Sequence, residues 1–163
     1  MALSPAVGRF HSKTLFMRHL QYILLLLLVS QCNPKFTGYT TSGERPTLLD
    51  ADAFALKGVA EDPQYGYTSK SPVHVGGWDD GNTELYVRRY LNALRAPNGE
   101  PIDYQYVGEC CYYESPRDQF GEAFLVVYEI TYPGQALSPL VLHLDVYHYD
   151  ALYAPDGLDY RRE

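Results

Sequence analysis

Cys110 and Cys111 stand side by side, and a neighbouring pair of cysteines is unusual in a chain that holds only three. On a strand, successive side chains point to opposite faces, so buried structural thiols are the plain expectation. In an oxidising compartment the pair could instead close a vicinal disulfide, a strained ring that needs a distorted peptide. Redox catalysis favours spaced thiols such as Cys-x-x-Cys in an activating environment, and neither feature is evident. A thiol-dependent or hydrolytic enzyme around Cys110, Cys111 and His74 would need a base close to a sulfur.

A second cluster reads His143-x-Asp145-x-x-His148-x-Asp150. Its residue types suit a metal. On a regular strand, however, His143 and Asp145 share one face and His148 falls on the other. Three or four ligands converge only if the chain bends near Tyr147, so a solvated strand end is expected and no metal is assigned. His74, Trp78, Asp79 and Asp80 surround Gly76-Gly77. An exposed tryptophan beside carboxylates could grip a sugar; alternatively Trp78 plugs the core and the acids lead into a helix. Tyr112 and Tyr113, with Tyr147 and Tyr149, are expected to line a shared binding surface, since tyrosine contacts ligands at low entropic cost. There is no Gly-rich phosphate loop, serine elbow or catalytic triad, so no cofactor and no catalytic residue is assigned.

The elements that must position these residues are legible from periodicity. Val87, Tyr90, Leu91 and Leu94 make one apolar stripe of a helix over about 83–95. Asn82 is the expected N-cap, Glu84 suits the positive end, and Pro97 with Asn98-Gly99 ends it. Strands are expected over 102–107, 124–132 and 140–146, with a short one at 73–75. Residues 48–59 read as either a short helix or an edge strand. In the third long strand Leu140, Leu142, Leu144 and Val146 face the core, while His143, Asp145 and Tyr147 are expected to meet water. Short connections favour antiparallel neighbours. The expected fold is α+β: a small antiparallel sheet with one main packed helix, forming a single domain over 47–163.

The chain start reads differently. Residues 23–29, with Leu20 and Tyr22, form an apolar stretch of about ten residues. A membrane-spanning helix needs about 20, but the core of a signal peptide does not. Val29-Ser30-Gln31-Cys32 resembles a lipobox, with Gln31 departing from the usual small residue. Residues 1–31 are therefore expected to be a signal peptide, with Met17 as an alternative start, and Cys32 to be the lipidated N-terminus. Residues 32–46 are polar, carry Gly and Pro, and read as a tether. All twenty acids follow Cys32, whereas Arg9, Lys13 and Arg18 precede it. Ten cations against twenty anions then remain, a net charge of −10 that disfavours nucleic acid as a partner. Membrane attachment would come through the N-terminal lipid.

Several segments together carry a resemblance over about residues 60–157. They are Pro63-Gln64-Tyr65-Gly66-Tyr67-Thr68, Ser71-Pro72-Val73-His74-Val75-Gly76-Gly77, Arg89-Tyr90-Leu91-Asn92-Ala93-Leu94, Pro97-Asn98-Gly99-Glu100, Gly108-Glu109-Cys110-Cys111 and Tyr149-Asp150-Ala151-Leu152-Tyr153-Ala154-Pro155. In order and spacing they resemble a family of small exported lipoproteins of Bacteroidetes. The resemblance implies an envelope lipoprotein of unknown activity. The family pattern includes the cysteine pair but has no histidine where His143 and His148 stand. Some relatives carry the name 2-dehydro-3-deoxyphosphooctonate aldolase. That chemistry is associated with a (β/α)8 barrel of about 250 residues, and this chain has neither the length nor the alternation.

The expectation is an outer-membrane or other envelope lipoprotein with a non-catalytic binding or structural domain, whose partner is an envelope protein or glycan. An envelope enzyme and an immunity-type lipoprotein are the alternatives.

Overall fold

The chain divides into two compact units, Met1–Pro34 and Lys35–Glu163. The computed structural model describes residues 41–162 apart from 119, 136 and 137, all within the second unit. The expected signal peptide, Met17, Cys32 and most of the tether lie outside the described residues.

The second unit is a small α+β fold. Its strands are β1 (Val73–His74), β2 (Leu94–Arg95), β3 (Asp103–Glu114), β4 (Glu122–Thr131), β5 (Leu140–Asp145) and β6 (Asp159–Tyr160), and its helix is α1 (Thr83–Ala93). The main sheet has the order β1-β5-β4-β3; β2 and β6 form a separate pair. The three long strands are antiparallel neighbours, as their short connections require. β1 runs parallel to β5, so the sheet is mixed and not wholly antiparallel. Residues 48–59 form neither a helix nor a continuous strand; isolated bridges join Leu48 to Phe54 and Val59 to Ala154.

In α1, Val87, Tyr90, Leu91 and Ala93 are buried. They join one core with Ile130, Leu142 and Leu144 of the sheet. Asn82 makes no side-chain cap; its amide donates instead to the Asp80 carbonyl at 2.9 Å. The helix stops where Leu94 turns extended and pairs with Tyr160. The end of the expected tether is docked on the domain. Gly43 N–H donates to the Tyr149 carbonyl at 3.0 Å, and Arg45 reaches Asp80 at 2.7 Å. Among the described residues, no helix is long and apolar enough to cross a membrane.

β3 has two register shifts against β4. The second lies between Cys110, which faces Leu125, and Tyr113, which faces Ala123. Regular pairing would have set Tyr112 opposite Ala123. One extra residue exchanges which side chains point inward. Tyr113 is consequently 4 % exposed and Tyr112 68 % exposed. Cys111, in the shift, has φ +60°, the one positive value at a non-glycine residue among those described. That conformation costs an L-residue roughly 1–2 kcal/mol.

Gly76 shows how tightly the loop after β1 is packed. Its φ is +69°, and a Cβ there would overlap the Tyr149 ring. Gly134 also has positive φ (+82°) but open space around it. Gly76→Ala is expected to cost about 2–4 kcal/mol, through overpacking added to backbone strain, and Gly134→Ala only about 1–2 kcal/mol. Denaturant melts of the two variants measure the difference; equal losses would contradict the packing described.

Candidate functional site

The sheet register places one row of residues across four strands. His74 of β1 pairs with Asp145 of β5, Asp145 with Leu125 of β4, and Leu125 with Cys110 of β3. Paired residues on neighbouring strands share a face, so His74 and Asp145 meet directly. His74 Nδ1 donates to Asp145 Oδ2 at 2.8 Å. The bulge brings Tyr113 to the same face, and its hydroxyl donates to Asp145 Oδ1 at 2.9 Å.

The chain bends where β5 ends. Asp145 Oδ1 accepts the backbone N–H groups of Tyr147 at 2.8 Å and His148 at 3.3 Å. An aspartate commonly closes such a turn on the amides that follow it. The bend returns His148 to Asp145, and His148 Nδ1 donates to the same Oδ2 at 2.8 Å. The Tyr113 hydroxyl also lies 3.3 Å from His148 Nδ1.

Asp145 is fully buried. Burial by itself would raise its pKa. The hydrogen bonds and charge of His148 and His74 overcome that and hold the carboxyl far below its usual range. Because an ionised carboxylate only accepts hydrogen bonds, both imidazoles must carry a proton on Nδ1. Carboxylate-oriented imidazoles of this kind serve as bases and metal ligands.

His74 also borders a cleft of about 630 Å³, whose wall includes Lys57, Asp62, Tyr65, Asp150 and Tyr153. The Tyr65 and Tyr153 rings meet edge to face at 6.2 Å. Lys57 is engaged by Glu44 at 2.7 Å, so the wall has a net negative character. Burial pushes the Tyr65 phenol upward, keeping it neutral.

The expected residues fall as follows. Cys110 and Cys111 are joined by a vicinal disulfide; Cys111 is exposed, so the plain expectation of buried thiols is overturned. The histidine near these sulfurs is His143, with ligand atoms of all three residues within 4.8 Å. His74 belongs to the Asp145 cluster instead. Asp145, Tyr147 and His148 are buried, which corrects the expected solvated strand end: the aspartate turn breaks strand alternation after Asp145. The expected tyrosine surface is also divided. Tyr112 is exposed, but Tyr113 and Tyr147 are inside, and Tyr149 packs on Gly76. Trp78 is partly exposed and lies against Tyr147, centroids 4.8 Å apart. Asp79 is paired with Arg117 at 3.2 Å. Asp80 accepts from Arg45, Tyr86 and Tyr149, with Arg45 the first cause of its lowered pKa. The signal for the real cluster was present as Asp145-x-x-His148, a spacing that suits a turn and not a continuing strand. His74 has no local signal, because a cross-strand partner 71 residues away brings it in.

Comparisons with family models, with curated proteins and with solved structures returned no match.

Two outcomes follow from this geometry. Asp145→Asn removes the ionic acceptor of two imidazoles and should destabilise the domain by about 3–5 kcal/mol. The folded pKa of Asp145 is depressed, so its contribution is whole above the unfolded value of about 4. It is lost as pH falls toward the folded value, because the unfolded chain binds the proton first. The stability gap between wild type and Asp145→Asn, read by denaturant melts, should therefore shrink from pH 5 to pH 2. A constant gap would contradict an ionised Asp145. In addition, opening the disulfide with a thiol reductant frees Cys111 from its ring and permits regular pairing. Hydrogen exchange should then accelerate at residues 110–114 and 145–148 together. Unchanged protection at 145–148 would mean that the cysteine pair does not hold Tyr113 on Asp145.

Proposed function

We propose that the chain is an exported lipoprotein of the cell envelope, anchored by a lipid on Cys32, and that its domain is a binding module for a neutral polar ligand such as a glycan. The observation that carries the binding reading is the cleft beside His74. Its wall includes Tyr65 and Tyr153, aromatic residues of the kind that pack against sugar C–H groups. Its carboxylates, Asp62 and Asp150, are acceptors for hydroxyl groups. With Lys57 neutralised by Glu44, a phosphate or nucleic acid finds no charge to meet. The anchor reading draws support from the lipobox-like Val29-Ser30-Gln31-Cys32 and from the resemblance to small Bacteroidetes lipoproteins.

A hydrolytic reading comes second and has its own support: His74 is a carboxylate-held imidazole at the cleft wall. A thiol nucleophile is not offered by the oxidised pair, whose sulfurs are bonded to each other.

Mass spectrometry of the protein taken from its native envelope should find a chain beginning at Cys32 and carrying acyl groups. An unacylated Cys32 inside an uncleaved chain would overturn the anchor. For the cleft, the full chain in detergent should be retained on immobilised neutral envelope glycans, and Tyr153→Ala should weaken retention at least tenfold. Equal retention by wild type and Tyr153→Ala, or none by either, would overturn the binding reading. Release of cleaved glycan during the same incubation would replace it with the hydrolytic one.

A further inference from the structure

We propose that His74, Asp145 and His148 form a site for a divalent transition-metal ion of the zinc type. The inference goes beyond the cleft reading and stands whether or not a glycan binds there. The ligand atoms of these three residues all lie within 4.8 Å of one another. Both Nδ1 atoms are 2.8 Å from the same carboxylate oxygen. A zinc ion with bonds of about 2.0–2.2 Å spaces its ligands roughly 3.3 Å apart. Seating it needs only about half an ångström of widening between Oδ2 and each Nδ1.

The surroundings suit a ligand set. Asp145 Oδ1 is fixed by the Tyr113 hydroxyl and by the Tyr147 and His148 amides. This outer shell aims Oδ2 at the two imidazoles, as supporting hydrogen bonds do around metal carboxylates. Three protein ligands leave a fourth position for water, and the cleft that His74 borders supplies the entry path. Two nitrogens and one oxygen select zinc-like ions. Magnesium and calcium prefer all-oxygen shells, and copper(I) prefers sulfur. On binding, the ion takes the place of the two Nδ1 protons on Oδ2. With both rings in their neutral form, each moves its proton from Nδ1 to Nε2, and the aqua ion, with about six waters, keeps one and gives up the rest. No electron is transferred.

The other convergent group, Cys110, Cys111 and His143, has both sulfurs in the disulfide and serves as the control. The test is a titration of the full chain, purified in detergent and treated with chelator, with Zn²⁺ and separately with Mg²⁺. Calorimetry should show one Zn²⁺ per chain with Kd at or below the micromolar range, and no Mg²⁺ uptake. His148→Ala should weaken binding at least tenfold, and His143→Ala should leave it unchanged. X-ray absorption on the zinc-loaded wild type, which requires no variant to fold, should show two imidazoles and no sulfur in the first shell. No saturable uptake, a first shell containing sulfur, or loss of binding in His143→Ala would overturn the site.

Discussion

A single buried carboxylate gathers the end of the sheet that carries the candidate site. Asp145 accepts five hydrogen bonds: two imidazole N–H groups on Oδ2, and a phenol and two backbone amides on Oδ1. An ionised carboxylate in a dry interior is costly unless its lone pairs are filled, and here donors arrive from three parts of the chain. His74 comes from the parallel edge strand, Tyr113 from the bulged strand, and His148 from the turn beyond β5. Each of these features is locally unfavourable or unremarkable. Together they satisfy a charge that none could satisfy alone.

The bulge in β3 gains its meaning from this requirement. A long edge strand could have paired regularly with β4 to its end. Instead it inserts one residue, with Cys111 at positive φ, and so turns Tyr113 inward. The vicinal disulfide sits at the insertion. The cysteine pair therefore reads as part of the scaffold that aims Tyr113. On the opposite side of the sheet row, His74 links the buried charge to the cleft. The chain thus sets three things in one register: a vicinal disulfide at one edge, a buried anion in the middle, and an imidazole beside a cleft.

Much of the scaffold was legible in the residues. The stripe of Val87, Tyr90 and Leu91 marks α1, and the alternation of Leu140, Leu142 and Leu144 marks the core face of β5. The site was less legible, for identifiable reasons. Strand parity sets His148 on the face opposite Asp145, but it stops applying at Asp145, whose own side chain ends the strand by taking the next amides and receives His148 as well. β1 is two residues long, and nothing near Val73-His74 announces a parallel partner in β5. The inward turn of Tyr113 depends on a one-residue insertion that alternation alone cannot reveal. The burial of Asp145 inverts the usual expectation for a charged residue, because its donors come from distant segments.

Histidine-selective ¹⁵N spectroscopy of the metal-free full chain near neutral pH tests this account most directly. The account predicts that two of the five imidazoles, those of His74 and His148, carry their proton on Nδ1, and that both protons exchange slowly with water. Assignment by His74→Gln and His148→Gln would identify the two rings. An unprotonated Nδ1 on either ring would contradict the shared hydrogen bonds to Asp145, and with them the organisation built on that carboxylate.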